Sequence, residues 1–215
     1  MRGTRPLFVS AVTTLLLVLS SSALAQDDEP IGRFVVDLRG SFAPYGQDEN
    51  LAFSRGYDPR ATPSVGLGFE AGGHLYFFRW RLITFGVGAT VHASLGDRRA
   101  METDVDPDEP TLRKKFTAIS PQLSFNFGGR NGWSYISGGL GTSRMSLFPL
   151  NQDEPTQRRA STLNYGGGAR WFIKEHLAFS VDLRFYAMSP LEETETEPGS
   201  PRLTVMVLSI GASFK

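Results

Sequence analysis

Residues alternate between apolar and small polar in eight separate segments of this chain, and a strict period of two is a strand signal that no helix accommodates. Residues 33–42 place Phe34, Val36, Leu38 and Phe42 on one face and Arg33, Asp37, Arg39 and Ser41 on the other. Segments 64–77, 82–94, 116–127, 160–172, 177–188 and 202–214 repeat the pattern. In 82–94, for example, Ile83, Phe85, Val87, Ala89 and Val91 oppose Thr84, Gly86, Gly88, Thr90 and His92. Segment 133–146 is ambiguous, because Tyr135 and Ile136 disagree in parity; a bulge near Gly138-Gly139 reconciles them.

The connections also alternate. Residues 43–63, 95–115, 147–159 and 189–201 are long and polar, whereas 78–81, 128–132 and 173–176 are short turns. Eight strands joined this way form an up-and-down antiparallel sheet with every short turn at one end, together with both termini of the sheet. A closed eight-stranded all-β barrel is the predicted fold.

A soluble β-sandwich alternates as well, and three features weigh against it. The polar faces carry Gly, Ser and Thr, where a solvated strand face favours long charged side chains and avoids Gly. The four lysines, Lys114, Lys115, Lys174 and Lys215, all lie at segment ends or in connections; at a lipid-facing strand centre Lys costs about 2–4 kcal/mol. Trp80, Trp133 and Trp171 fall one per short turn, with Phe78 and Phe172 beside them. Five such rings predict an aromatic girdle at one water–lipid interface. A soluble barrel is the alternative.

Ahead of the sheet, residues 1–25 read as a secretory signal peptide. Arg2 and Arg5 precede an apolar run around Leu15–Leu19, and Ala23-Leu24-Ala25 has the small-x-small form of a cleavage site. The run is shorter than the ~20 residues of a spanning helix. Residues 26–215 then form the barrel domain, with net charge −2. The absence of cysteine excludes disulfides, thiolate metal sites and a Cys nucleophile. The lack of a basic excess excludes an electrostatic footprint for nucleic acid.

This pattern resembles the eight-stranded outer-membrane barrels, the OmpA transmembrane domain and OmpX-like group, grouped as an outer membrane protein beta-barrel domain. The resemblance spans residues 31–215. In that group the terminal strand alternates toward a final Phe that the barrel-assembly machinery reads. Here Met206, Leu208, Ile210, Ala212 and Phe214 match, with Lys215 as one extra residue. The resemblance implies a monomer in the bacterial outer membrane, among lipid and lipopolysaccharide, with short turns periplasmic and long loops extracellular. It also implies a non-enzymatic role in envelope integrity, or adhesion and ligand binding through the loops.

Eight strands leave an interior just wide enough for side chains. Arg33, Arg39, Arg170 and Arg184 are expected to pair there with Asp37, Glu70 and Asp182, since unpaired buried charge is costly. Some small outer-membrane barrels are lipid A-modifying hydrolases with a His-x-Ser pair, and His92-Ala93-Ser94 has that form. The strand after it carries no carboxylate to orient the histidine, so two ordinary polar interior residues are the plainer reading. Asp104, Asp106, Asp108 and Glu109 are broken by prolines and lack the calcium-loop glycine and glutamate. They read as a solvated acidic loop, as do Glu192, Glu193, Glu195 and Glu197. No metal or cofactor is expected.

Overall fold

The structure is a computed structural model that describes residues 30–45, 49–98, 110–155, 157–195 and 199–215. The signal-peptide segment, Asp104 to Glu109, and Glu197 lie outside the described residues. Eight strands form one closed barrel in sequence order: β1 Phe34–Pro44, β2 Val65–Trp80, β3 Ile83–Arg98, β4 Leu112–Gly129, β5 Gly132–Pro149, β6 Ala160–Lys174, β7 Leu177–Met188 and β8 Leu203–Phe214. Every neighbouring pair is antiparallel, and β1 closes on β8 with Val36 opposite Phe214 and Phe42 opposite Leu208. Closure leaves no edge strand with unpaired backbone groups.

The short connections tighten to two residues each, Arg81-Leu82, Arg130-Asn131 and Glu175-His176. Arg81 takes a left-handed φ of 52°, as the tight hairpin turns of twisted strands demand. At the opposite end the first long connection folds into a short helix, α1 Glu49–Ser54, and a 3₁₀ turn, Pro59–Ala61. Asp58 caps that turn by accepting from the Arg60 N–H at 2.8 Å.

The burial pattern follows the alternation. In β1, Phe34, Val36, Leu38 and Phe42 face out and Val35, Asp37, Arg39, Ser41 and Ala43 face in. Strand β5 needs no bulge: it pairs with β4 from Leu112↔Pro149 to Ile119↔Thr142 and again, in the same register, from Leu123↔Gly138 to Gly129↔Gly132. Tyr135 points inward and Ile136 outward without a change of phase, which corrects the expected bulge near Gly138-Gly139; what lies there is a gap in the pairing, Gly139 to Gly141 opposite Ser120 to Gln122. The register shifts lie instead in β2, between Tyr76 and Phe78, and in β6, between Phe172 and Lys174.

The interior is charged and aromatic, and inward glycines make room for it. A Cβ on Gly86 would lie 2.7 Å from Ser124 Oγ and 2.8 Å from a Tyr76 ring carbon. Large side chains therefore fill a section too narrow for a ring of them, by facing glycines on the neighbouring strands.

Candidate functional site

The lumen has three levels. At mid-height a charged network joins β1, β2, β4, β5, β6, β7 and β8. Arg170 reaches from β6 to β1 and grips Asp37 with Nε at 2.9 Å and Nη2 at 2.6 Å. Arg39 Nη2 lies 2.8 Å from the same carboxylate, and Arg39 Nη1 donates to Glu70 Oε1 at 2.6 Å. Ser213 Oγ donates to Asp37 at 2.5 Å. Arg184 contacts Asp182 with Nε at 3.2 Å and Nη2 at 3.0 Å, and donates through Nη1 to Gln122 Oε1 at 2.6 Å. The Tyr135 hydroxyl donates to Asp182 at 2.6 Å and accepts from Arg39 at 3.3 Å. The Tyr135 ring lies 4.2 Å beneath the Arg170 guanidinium. These charges are buried, and such charges are tolerated where each is paired and hydrogen-bonded.

Six of the seven expected network residues are thus brought together. Arg33 is not: it is exposed and precedes β1 at the short-turn end, where its carbonyl accepts from the Tyr76 N–H at 2.8 Å. It has the inward parity, but the barrel ends before it. Tyr135 and Gln122 are partners that charge alone did not reveal. The signal for Tyr135 was its parity clash with Ile136.

At the short-turn mouth Trp133 stacks on Phe172 at 5.0 Å and meets Tyr76 edge-on at 5.9 Å. Lys215 Nζ sits 3.7 Å from the Phe172 ring centre and donates to the Arg130 carbonyl. At the long-loop mouth Phe116 meets Tyr186 at 5.3 Å, and Leu51 of α1 packs into the same cluster with Met145, Met188 and Val205. Helix α1 therefore lies across that opening.

Within the upper level His92 Nε2 is 3.0 Å from Ser94 Oγ, which also accepts from the Tyr45 hydroxyl at 2.8 Å. A carboxylate does lie nearby, on the preceding strand: Glu70 is the register partner of His92. It is turned to Arg39, and among the described residues His92 Nδ1 has no partner. A nucleophile–base pair is present in geometry, without an orienting acid and sealed from both mouths. No group of metal-ligating side chains occurs among the described residues.

Above the barrel, Glu154 in the β5–β6 loop receives three side chains. Lys115 Nζ is at 2.5 Å, Arg144 at 2.9 Å and Ser146 Oγ at 3.0 Å. Partial burial alone would raise this carboxyl, but the hydrogen bonds from Lys115 and Ser146 and the charges of Arg144 and Lys115 hold it below its ordinary value. Arg55 donates to the Gly199 carbonyl at 3.2 Å, joining the first loop to the fourth.

A closed eight-stranded wall, apolar outside and charged inside, is the geometry of one architecture, and the sequence comparison agrees with it. The family model of the outer membrane protein beta-barrel domain matches residues 11–215. The chain belongs to this family. Among solved structures, Ail of Yersinia pestis superposes with TM-score 0.50 at 14% identity, covering 86% of this chain and 98% of that one. Neisserial surface protein A gives 0.50 at 13% identity, over 85% and 96%. OprG of Pseudomonas aeruginosa gives 0.50 at 12%, over 86% and 96%. At these identities the likeness is one of fold. No curated protein sequence matches the chain.

As a member of the outer-membrane barrel family, the protein meets bilayer lipid with its outer wall. The girdle at the short-turn end holds three of its five expected rings. Trp80, Phe78 and Trp171 face out, with exposures of 59%, 55% and 36%. The β2 irregularity turns Phe78 and Trp80 outward; on an unbroken strand both would share the inward parity of Tyr76. Trp133 is 3% exposed and Phe172 packs against it, so these two close the mouth from within. Both lie beside turns, as the girdle reading required, but on the inward parity of β5 and β6. In the terminal strand Ile210 and Phe214 face out, and partly buried Ala212 shares their parity.

Proposed function

We propose that this protein is a small non-enzymatic outer-membrane barrel whose interior is a structural plug, and whose work is done by its four long loops. One observation carries the reading: the Asp37–Arg39–Glu70–Arg170 cluster ties β1, β2 and β6 together across the lumen. A barrel filled in this way offers loops on a rigid scaffold rather than a water path. In this reading the chain is cut after Ala25, the short turns are periplasmic and the loops stand at the cell surface. The monomeric barrel is surrounded by phospholipid and lipopolysaccharide. Assembly machinery recognises Ile210, Ala212 and Phe214 during insertion. The loops serve envelope integrity or surface interaction.

Planar-bilayer recording tests the plug. The expected trace has no steady current, and large, stable single-channel steps overturn the reading. Surface proteolysis of intact cells tests orientation: cleavage within residues 97–112 is expected, with the three tight turns protected. Intact mass after export checks the start at Gln26.

A lipid A-modifying hydrolase is a second reading, favoured by the 3.0 Å contact of His92 and Ser94. Their burial beneath Tyr45, Phe116 and Tyr186 argues against contact with a lipid substrate. A lipid A mass change that appears with the protein and vanishes in His92→Ala would establish the enzyme.

A further inference from the structure

We propose that the short-turn rim is a binding surface for anionic phospholipid headgroups, with Arg79, Arg81 and Lys174 as its phosphate-recognising groups. The inference goes beyond the plug reading. It rests on the periplasmic placement of the short turns in that reading, which sets glycerophospholipid rather than lipopolysaccharide against this rim and which surface proteolysis tests separately.

The rim combines two features. Phe77, Phe78, Trp80 and Leu82 at the β2–β3 turn, and Ile173 at the β6–β7 turn, are all exposed. Outside lipid this would be a large apolar patch; inside a bilayer it marks the depth where hydrocarbon gives way to headgroups. Arg81 follows Trp80 in the turn and Lys174 follows Ile173, while Arg79, between the outward Phe78 and Trp80 and paired with inward Thr84, is exposed on the mouth side of the same rim. The side chains that border the apolar belt here are therefore cationic, at the level of lipid phosphates.

These cations are also unclaimed. Arg79 Nε donates to the Arg81 carbonyl at 3.1 Å, which fixes the guanidinium while leaving both Nη groups to project. The Arg81 guanidinium lies 6.0 Å from the Trp80 ring centre. No ion pair joins Arg79, Arg81 or Lys174 to another described residue. Glu175 is the one acidic side chain in the three tight turns, and Arg130 holds it at 2.8 Å. A guanidinium presents its donors as a planar fork that fits two phosphate oxygens at once, while Lys supplies a mobile point charge. Anionic lipids attract such residues because the facing leaflet's negative potential adds to each contact.

The occupant this chemistry selects is a diacyl phospholipid with net negative charge, of the phosphatidylglycerol class, in the leaflet facing the short turns. Its acyl chains would lie along Phe77, Phe78 and Trp80 while its phosphate meets the arginines.

To test this, the full barrel is folded into bilayers of mixed phosphatidylethanolamine and phosphatidylglycerol and extracted gently, and the retained lipid is quantified by mass spectrometry. The wild type is expected to enrich phosphatidylglycerol over phosphatidylethanolamine. Enrichment should fall by about fivefold for each cation removed in Arg79→Gln, Arg81→Gln and Lys174→Gln, and should shrink at high salt. Arg202→Gln, exposed at the opposite end, should leave it unchanged. All three sites are exposed, so the shift between folded and unfolded forms in detergent gels should be retained in the triple variant. Should it fail to fold, the single variants give the same reading. Equal retention of both lipids by the wild type overturns the proposal, as does a folded triple variant that keeps its preference. Retention of soluble anionic glycan fragments, or of lipid A, through these three residues in place of phosphatidylglycerol also overturns it.

Discussion

Arg170 on β6 and Asp37 on β1 form a two-point ion pair, with Nε–Oδ1 at 2.9 Å and Nη2–Oδ2 at 2.6 Å, that ties strands from opposite sides of the barrel. Asp37 also receives Arg39 and Ser213, so it is the carboxylate on which two guanidinium groups depend. Asp37→Ala leaves both arginines buried beside a lost partner, and breaking a buried pair from one side costs about 3–5 kcal/mol. The urea midpoint for loss of the compact gel form should fall accordingly. Asp37→Ala combined with Arg170→Met should be less harmful than the two single losses added together, because the uncompensated charge is then removed. Strict additivity would mean that the pair is not coupled.

Tyr135 supplies a neutral donor to the network. Tyr135→Phe keeps the ring under Arg170 but removes the 2.6 Å hydrogen bond to Asp182 and the 3.3 Å contact from Arg39. A hydrogen bond to a charged group contributes about 1.5–3 kcal/mol. The unfolding free energy from urea curves should drop by that amount, seen as a lower midpoint, without change in strand content by circular dichroism. An unchanged midpoint would show that water replaces the hydroxyl.

The inward glycines are spatial requirements. Gly86→Ala would place a methyl 2.7 Å from Ser124 Oγ and 2.8 Å from the Tyr76 ring, and overpacking of this kind costs about 1–3 kcal/mol. Gly40 faces lipid, with its nearest obstacle 3.9 Å away, so Gly40→Ala should stay within about 0.5 kcal/mol. Paired unfolding curves of the two variants check the difference.

The alternation that makes Gly86 an interior residue was open in the sequence, because lipid and a packed lumen impose opposite demands on successive residues. Strand count, order and nearly every face followed from it, and charge placed Asp37, Arg39, Glu70, Arg170, Asp182 and Arg184 in one cavity. What stayed hidden depends on where strands end and slip. Arg33 has lumenal parity, but the barrel stops before it. The slip in β2 that turns Phe78 and Trp80 to lipid is marked by neither Gly nor Pro. Tyr135 is out of phase only under the premise that aromatic rings face lipid; a phenol turns inward when carboxylates await its hydroxyl. Nearness to a turn places Trp133 in the girdle, whereas the parity it shares with Tyr135 and Ser137 points it inside.

Trp133 and Trp80 should therefore differ in their access to lipid. In single-tryptophan variants, with the other two replaced by Phe, quenchers attached near the lipid glycerol should quench Trp80 and Trp171 strongly. Trp133, at 3% exposure behind Phe172, should be nearly unaffected. Trp133→Ala should also cost about 3–5 kcal/mol as a core truncation, whereas Trp80→Ala should cost far less. Strong quenching of Trp133 by lipid would return it to the girdle.

Glu154 sets a pH limit on the β5–β6 loop. Lys115, Ser146 and Arg144 hold its carboxyl below the ordinary value of 4.5 against the opposing effect of partial burial. For a carboxylate lowered in the folded state, the stabilisation is complete above its unfolded value and declines as pH falls through the folded one. The clamp should therefore be intact at neutral pH and release below about pH 4.5. Glu154 is about one-fifth exposed, so solvent screening keeps the contribution small and the release local. Hydrogen exchange across residues 150–159 should speed up on acidification while exchange in the β4 and β5 ladders does not change. Glu154→Gln should show the faster loop exchange already at neutral pH and lose its dependence on acid. Loop exchange that is independent of pH in the wild type, or identical in the variant, would show that the three contacts do not order the loop.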